Sequence, residues 1–369
     1  MSCESLSSCS SCGAAPAVGL HACSGCRSIA YCGSACQRAH WEVHKTQCKA
    51  AAAALFEQAM ARAVAGDAGA QFDIGTVYQF GRRGIPKCPP DAALWYRRAA
   101  EAGHIYGQCK LGRLYESGNG VPQDPVQAAA WFQRAAASGD AAAQNNLGRL
   151  YESGNGVPKD PEQAAAMWKL AAASGYAASQ CNLGVLYAKG FGVYKDPAKA
   201  MALFNQAAEA DHAHAMYQLG CRYYDGDLVK KDLRLAAAWF HRAAEAGHMD
   251  AQYQLGVLYA DGAGVPNDPA QAFAWYLRAA EAGLAEAQCI VGNSYFFGHG
   301  TPQDAKLAVE WFGRAATAGH AEAQYSLGCF YLIGEDGLPV DRVKAAALWR
   351  QAAAGGYEIA AQALVAHGM

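Results

Sequence analysis

The chain has 369 residues, of which 52% are hydrophobic and 17% charged, and a formal net charge of −2 at pH 7. This near-neutral balance, without a long run of like charges, argues against non-specific nucleic-acid binding. No apolar stretch approaches the about 20 residues that a membrane-spanning helix needs, and the N-terminal MSCESLSSCSSC has no apolar signal region. We therefore expect a soluble, non-secreted protein of the cytoplasm, the nucleus or both, without nucleic-acid or membrane partners.

A cluster of cysteine and histidine follows residues 1–8, which we expect to be disordered. Eight soft ligands make two tetrahedral sets, as structural Zn²⁺ requires. About forty residues cannot bury a sufficient core, so metal must supply folding free energy, about 10–16 kcal/mol per site. The spacing does not decide which ligands share an ion. The ligands form four close pairs: Cys9 and Cys12, Cys23 and Cys26, Cys32 and Cys36, His44 and Cys48.

The order of these ligands, with YC, CQ and HW between them, resembles the MYND-type zinc finger over residues 9–48. The resemblance implies a cross-braced arrangement of two zinc ions. Neither set would leave an open coordination position, so both ions are expected to be structural. The first ion would be held by Cys9, Cys12, Cys32 and Cys36, and the second by Cys23, Cys26, His44 and Cys48.

MYND fingers that this segment resembles, particularly those of ETO-type corepressors, bind short proline-rich peptides of the PxLxP type. The positions that line their groove correspond here to Ser24, Gln37 and Trp41. A groove edged by an indole suits a polyproline-like strand, because a preformed strand loses little entropy on docking. Trp41 is equally well interpreted as a core residue of a small domain.

A repetitive region follows residues 49–67, which we interpret as a lone capping helix. One glycine with an aliphatic residue before it recurs at spacings of 37 and then six times 36 residues, and a tyrosine follows three positions later and a second glycine six positions later. A period of this length is typical of a solenoid. The recurring glycines are Gly75, Gly112, Gly148, Gly184, Gly220, Gly256, Gly292 and Gly328.

Each unit is predicted to be a helix, a loop and a second helix. The first helix ends at the second glycine, which permits a left-handed cap. An aspartate is expected to cap the second helix: Asp91, Asp124, Asp160, Asp196, Asp232, Asp268, Asp304 and Asp341. An aromatic residue on that helix is expected to fill a gap between neighbouring hairpins: Tyr96, Phe132, Trp168, Phe204, Phe240, Tyr276, Phe312 and Trp349.

The combined pattern of these positions resembles the Sel1-like repeat, a relative of the tetratricopeptide repeat. We therefore expect a mainly α fold, an α-solenoid of helix-loop-helix repeats with a small N-terminal two-zinc finger. Residues 358–369 are interpreted as a C-terminal capping helix. The fifth unit departs from the pattern at Asp211, Arg222 and Leu228. The eight units cover residues 68–104, 105–140, 141–176, 177–212, 213–248, 249–284, 285–320 and 321–357.

Arrays that this region resembles hold other proteins on a concave surface lined by first helices. Variable positions on those helices are therefore candidate contacts, although such residues commonly form a solvated face with local pairs such as Arg113 with Glu116. A glutamine that recurs four positions before the glycine is predicted to make a structural hydrogen bond. Histidines after the inter-repeat glycine are interpreted as polar turn residues, with a metal site at His212, His214 and His241 as the alternative. The candidate contacts are Lys110, Arg113, Glu116, Asn146, Arg149 and Glu152.

These features favour a non-enzymatic adaptor, a scaffold for two protein partners that acts as a monomer. In this hypothesis the finger binds a proline-rich motif and the array holds a second protein, in transcriptional corepression or protein quality control. Two alternatives remain open. The finger can be a structural cap while the array does all the binding, or the chain can be a hydrolase like the secreted, cysteine-rich Sel1-like proteins. The latter place disulfide pairs in every repeat, a pattern absent from this sequence.

The finger and the array are expected to fold independently. Cys32→Ser should unfold residues 9–48, because one ligand of a closed tetrahedral site is lost. Zinc content should fall while the helical circular dichroism signal stays nearly unchanged. Loss of both signals together would show that the two regions fold as one unit.

Overall fold

A computed structural model of the protein describes residues 21–22, 30–31, 51–82, 84–334 and 339–369. Two short strands, β1 (His21–Ala22) and β2 (Ala30–Tyr31), pair antiparallel with His21 opposite Tyr31 and Ala22 opposite Ala30. The eight proposed zinc ligands and Ser24, Gln37 and Trp41 lie outside the described residues, and so their arrangement stays a prediction.

The remaining described residues form an array of helices. Residues 51–64 form α1. The chain divides into two compact units, Met1–Ser174 with α1–α7 and Gly175–Met369 with α8–α18. The mainly α, solenoid fold class is thereby confirmed. The later helices are α2 Ala68–Phe80, α3 Pro89–Glu101, α4 Ile105–Ser117, α5 Pro125–Ala137, α6 Ala141–Ser153, α7 Pro161–Ala173, α8 Ala177–Lys189, α9 Pro197–Glu209, α10 Ala213–Asp225, α11 Leu233–Glu245, α12 Met249–Asp261, α13 Pro269–Glu281, α14 Ala285–Phe297, α15 Ala305–Thr317, α16 Ala321–Ile333, α17 Arg342–Ala354 and α18 Glu358–Ala366.

The ends of the helices follow the capping pattern of the sequence. All eight first helices end at a glycine with φ between 66° and 77°, the left-handed conformation that glycine adopts without a Cβ penalty. Seven second helices begin after an aspartate whose side chain accepts a first-turn N–H, as predicted. These caps are Asp124, Asp160, Asp196, Asp232, Asp268, Asp304 and Asp341.

Asp91 is an exception, and its predicted role as an N-cap is wrong. The helix α3 begins at Pro89, its N-cap is Cys88 without a side-chain hydrogen bond, and Asp91 lies within the first turn. The first repeat has one extra residue, and the two prolines Pro89 and Pro90 start the helix before the aspartate is reached. Asp91 still places a negative charge at the positive end of the helix dipole.

The core of every hairpin is a contact between the recurring glycine of the first helix and the aromatic ring of the second. A Cβ atom added to any of the eight glycines would lie 2.5–2.8 Å from its ring. The rings are at most 7% exposed. Each ring therefore fills a gap within its own hairpin, and residues of the following first helix pack against the same cluster, as Ala143 and Leu147 do around Phe132. Only glycine lets two helices approach this closely over a ring.

Polar atoms on two of the larger rings have partners inside the hairpin. The indole N–H of Trp168 donates to the Asn145 carbonyl at 3.1 Å, and that of Trp349 donates to the Tyr325 carbonyl at 3.0 Å. Both carbonyls lie three residues before the recurring glycine. A buried tryptophan is tolerated at this position because its N–H is satisfied.

Six recurring glutamines each join their own hairpin to the preceding helix. In six places the side-chain amide donates to a backbone carbonyl eight residues earlier, at 3.0–3.2 Å, which confirms the predicted structural hydrogen bond. The donors are Gln71, Gln108, Gln144, Gln252, Gln288 and Gln324.

The helices at the two ends of the array occupy the places of missing half-repeats. In the first unit Gln71 bonds the Ala63 carbonyl of α1, the same bond that other repeats make to a second helix. In the second unit Ala360 of α18 packs with Trp349 and Ala352 of α17. Each terminal helix covers an apolar face that a solenoid would otherwise expose.

The fifth repeat has its own connections. Asp211 takes the place of an inter-repeat glycine and has φ +55°, which makes it the only non-glycine with positive φ among the described residues. Aspartate tolerates this region better than most side chains do. Leu228 replaces a loop glycine that in other repeats lies against the backbone of the preceding repeat. At Gly264, for example, an added Cβ would lie 2.2 Å from the Leu233 carbonyl oxygen. Leu228 instead packs, half-buried, against the apolar cluster around Phe240.

A glycine on each helix of the seventh hairpin allows the effect of the ring contact on stability to be distinguished from the effect of helix propensity. Gly292→Ala should destabilise the second unit by about 1–3 kcal/mol, because the added methyl would lie 2.8 Å from the Phe312 ring. Gly313→Ala, on α15, adds a methyl with no atom within 4 Å and should stabilise by about 0.4–1 kcal/mol. Urea or thermal unfolding of the two variants measures both changes. Equal effects would show that the ring contact does not limit the packing.

Candidate protein-interaction surfaces

The six charged and polar residues predicted as contacts lie together on two neighbouring first helices of the first unit. Helix α4 carries the first three and α6 the equivalent three of the next repeat. They include both signs of charge, and Arg113, Arg149 and Glu152 are exposed. We call this set the α4–α6 face: Lys110, Arg113 and Glu116 on α4, and Asn146, Arg149 and Glu152 on α6.

Arg149 links the two helices of this face. Its guanidinium donates to the Glu116 carboxylate at 3.2 Å and to the Asn146 side-chain oxygen at 3.3 Å. Glu116 thus pairs across repeats, whereas the sequence favoured a local pair with Arg113. The Arg149 side chain is 51% exposed, so solvent screens the pair and it contributes little to stability.

A cleft of about 520 Å³ in the first unit was not predicted from the sequence. The Arg97 guanidinium donates to the Tyr115 hydroxyl at 2.6 Å on its wall, beside the nearly buried Trp131 ring. These residues come from three helices and have no common spacing, so the sequence carries no local signal for it. The cleft is lined by Arg97, Glu101, Tyr115, Pro122, Gln123, Asp124, Gln127 and Trp131.

The inter-repeat histidines are N-caps of first helices. In His104, His212, His248 and His320 the Nδ1 atom accepts a backbone N–H three residues later, at 3.1–3.3 Å. The alternative of a metal site is not supported: His241 lies against Trp275, and no group of three His, Cys, Asp or Glu residues in the described part of the chain could hold a metal.

Cysteines of the repeats are free thiols. The six that lie in the repeats form no disulfide in the structure. Burial raises the pKa of Cys181 to about 12, and burial together with nearby acidic groups raises the pKa of Cys109 and Cys289 to about 12. These three thiols stay protonated at neutral pH and act as small apolar side chains.

The repeats match a family model for the Sel1 repeat at residues 68–104, 105–140, 141–176, 177–212, 213–248, 250–284, 285–320 and 321–357. The chain belongs to the Sel1 repeat family. Residues 9–48 match the model of the MYND finger. A MYND finger implies zinc binding, and its thiolate and imidazole donors fit that ion.

Two solved structures share the solenoid fold of this Sel1 repeat protein. A Sel1 repeat protein from Oxalobacter formigenes is 35% identical with a TM-score of 0.60, covering 84% of this chain and 88% of that one. The antigen c5321 of uropathogenic Escherichia coli is 33% identical with a TM-score of 0.63, covering 83% of this chain. The present chain spans 65% of that antigen's length.

A shorter match joins the chain to a nematode protein. SET domain-containing protein 14 of Caenorhabditis elegans is 58% identical over 31 residues, which are 8% of this chain and 7% of that protein. So short a match carries no activity from one protein to the other. Among the described helices, none combines the length and apolar character needed to cross a bilayer.

The α4–α6 face should tolerate mutation without unfolding. Glu116→Gln removes the exposed pair with Arg149 and should lower stability by less than about 1 kcal/mol. Glu152→Gln, at the equivalent position of the next repeat, is the matched control. Thermal unfolding should therefore separate either variant from wild type by only a few degrees. A large loss of thermal stability in Glu116→Gln, but not in Glu152→Gln, would show that the pair with Arg149 is needed for the fold.

Proposed function

We propose that this protein is a non-enzymatic adaptor that holds two proteins at once. The observation that carries the proposal is the union, in one chain, of a MYND finger with eight Sel1 repeats, both of them protein-interaction modules. Joining two binding modules raises the effective concentration of one partner near the other without a new contact. We further propose that it acts as a monomer in the cytoplasm or nucleus.

The finger would bind two structural zinc ions in the cross-braced arrangement and recognise a short proline-rich peptide. Ser24, Gln37 and Trp41 would line the groove. Ligand sets of this kind would leave no coordination position for a reacting water, so the finger would serve recognition and not catalysis.

The repeat array would hold the second partner. The α4–α6 face supports this role because Arg113, Arg149 and Glu152 are exposed and its charged groups are not used in the glycine–ring core. Both of its helices carry at least one cation and one anion, so a partner segment with charges of both signs fits better than a uniformly acidic or basic one.

Two alternatives differ in what the finger and the thiols do. The finger can be a cap for α1, with all binding in the array. A Sel1-like hydrolase has less support, because the buried thiols of the repeats are protonated and unpaired.

A peptide library that combines random and proline-rich sequences should be panned against the zinc-loaded full chain and two variants of it. We expect proline-rich PxLxP-like peptides to be enriched by the wild type and lost with Trp41→Ala, while Arg113→Ala/Arg149→Ala retains them. Charged peptides that depend on the α4–α6 face should show the opposite pattern.

Zinc content serves as the control, because Trp41→Ala must keep its metal for the result to report a groove. Enrichment of the same peptides by wild type and Trp41→Ala would assign recognition to the array and reduce the finger to a cap.

A further inference from the structure

Two imidazoles at the starts of neighbouring first helices are hydrogen bonded to each other in the second unit. Nδ1 of His214 on α10 lies 3.1 Å from Nε2 of His248, the N-cap of α12. The His248 ring also stacks on Tyr217 of α10, with 4.5 Å between centroids and 15° between planes. The N-terminal end of α10 is thus joined to that of α12 through two imidazoles that are 34 residues apart in sequence.

The hydrogen bonds fix which nitrogen carries each proton. Nδ1 of His248 accepts the Ala251 N–H at 3.3 Å, so this atom must be unprotonated. Its Nε2–H then donates to Nδ1 of His214, which must be unprotonated too. His214 then keeps its proton on Nε2. The Gln218 amide nitrogen is placed 3.2 Å from this atom, so the amide must turn its oxygen toward the imidazole to accept that N–H. Both rings are therefore neutral in this arrangement.

The charged and titratable groups around the pair are few. On α10, His212 lies beside His214, with ring centroids 6.5 Å apart. On α12, the Asp250 carboxylate is 3.8 Å from Nδ1 of His248, and among the described residues it is the anion that favours protonation of both rings. Tyr217 stays neutral because burial raises its pKa.

Protonation of either ring places two N–H groups opposite each other. A protonated His214 would present its Nδ1–H to the His248 N–H, and a protonated His248 would lose its cap on α12. Burial lowers the pKa of His214, and burial with the neighbouring imidazoles lowers that of His212 and His248. A lowered folded-state pKa means that the stabilisation is complete above the unfolded value of about 6.5 and is lost as pH falls below it.

We propose that the His214–His248 pair is an acid-sensitive joint between the fifth and sixth repeats, which is closed at neutral pH and loosens when either imidazole gains a proton. An effect of this joint on partner binding rests on the proposed function, because loosening would change the relative positions of the first helices α10 and α12. The joint itself requires no partner.

The chain contains matched controls for this joint. His320 caps α16 through the same Nδ1 contact, at 3.3 Å from the Ala323 nitrogen, and no second imidazole is in ring contact with it among the described residues. Asp140 occupies the equivalent cap position in another repeat and accepts from Ala143. His248→Asp therefore keeps a cap that this fold already uses while removing the titrating ring.

Hydrogen exchange of the full chain, with intrinsic rates corrected for pH, should be compared for the first turns of α12 and α16. We expect the protection of α12 relative to α16 to fall between pH 7.5 and 5.5, because the His248 cap faces a second imidazole and the His320 cap does not. Carboxylate caps do not contribute in this range, because hydrogen bonding lowers the pKa of caps such as Asp196. His214→Gln and His248→Asp should each flatten the change.

Histidine-selective ¹⁵N NMR provides a second readout that does not depend on stability. At pH 7.5 both His214 and His248 should show an unprotonated Nδ1, and His248 should titrate at higher pH in His214→Gln than in wild type. A constant α12-to-α16 ratio in wild type, an unchanged pH dependence in both variants, or a protonated Nδ1 on His248 at pH 7.5 would each overturn the joint. None of these results bears on whether the finger or the array binds a protein.

Discussion

The packing of a glycine against an aromatic ring is the constraint on which the array depends. With no Cβ on the first helix, the second helix approaches until its ring is buried, and the remaining hairpin positions are set by that distance. Within each compact unit, a ring such as Phe132 or Phe312 then offers its other side to the following first helix. One contact, repeated eight times in sequence, thus specifies both the hairpin and its stacking.

This arrangement leaves the exposed positions of the first helices free to differ. Lys110, Arg113 and Glu116 vary from repeat to repeat without any effect on the glycine, ring and glutamine contacts beneath them. The repeats consequently separate stability from recognition. The charges on the α4–α6 face are free to match a partner, because exposed pairs such as Arg149 with Glu116 add little to the free energy of unfolding.

The sequence predicted those features that depend on local chemistry. Glycine caps, aspartate N-caps and recurring glutamines each have a position-specific signal, and the structure contains them. The prediction that Asp91 is an N-cap was wrong because an inserted residue and two prolines shift the start of the helix, which a fixed spacing cannot show. Contacts across repeats were also missed: Glu116 with Arg149, and His214 with His248, are 33 and 34 residues apart and depend on the stacking distance. The residues expected to line the finger's groove lie outside the described residues, and the groove stays a prediction from the motif.

The central claim is that one chain binds two proteins through separate modules. The most direct measurement is sedimentation of the zinc-loaded full chain with one peptide selected on the finger and one selected on the array. The account predicts a single species containing one copy of each peptide, with Trp41→Ala losing only the first and Arg113→Ala/Arg149→Ala only the second. Mutually exclusive binding, or loss of both peptides in either variant, would contradict it.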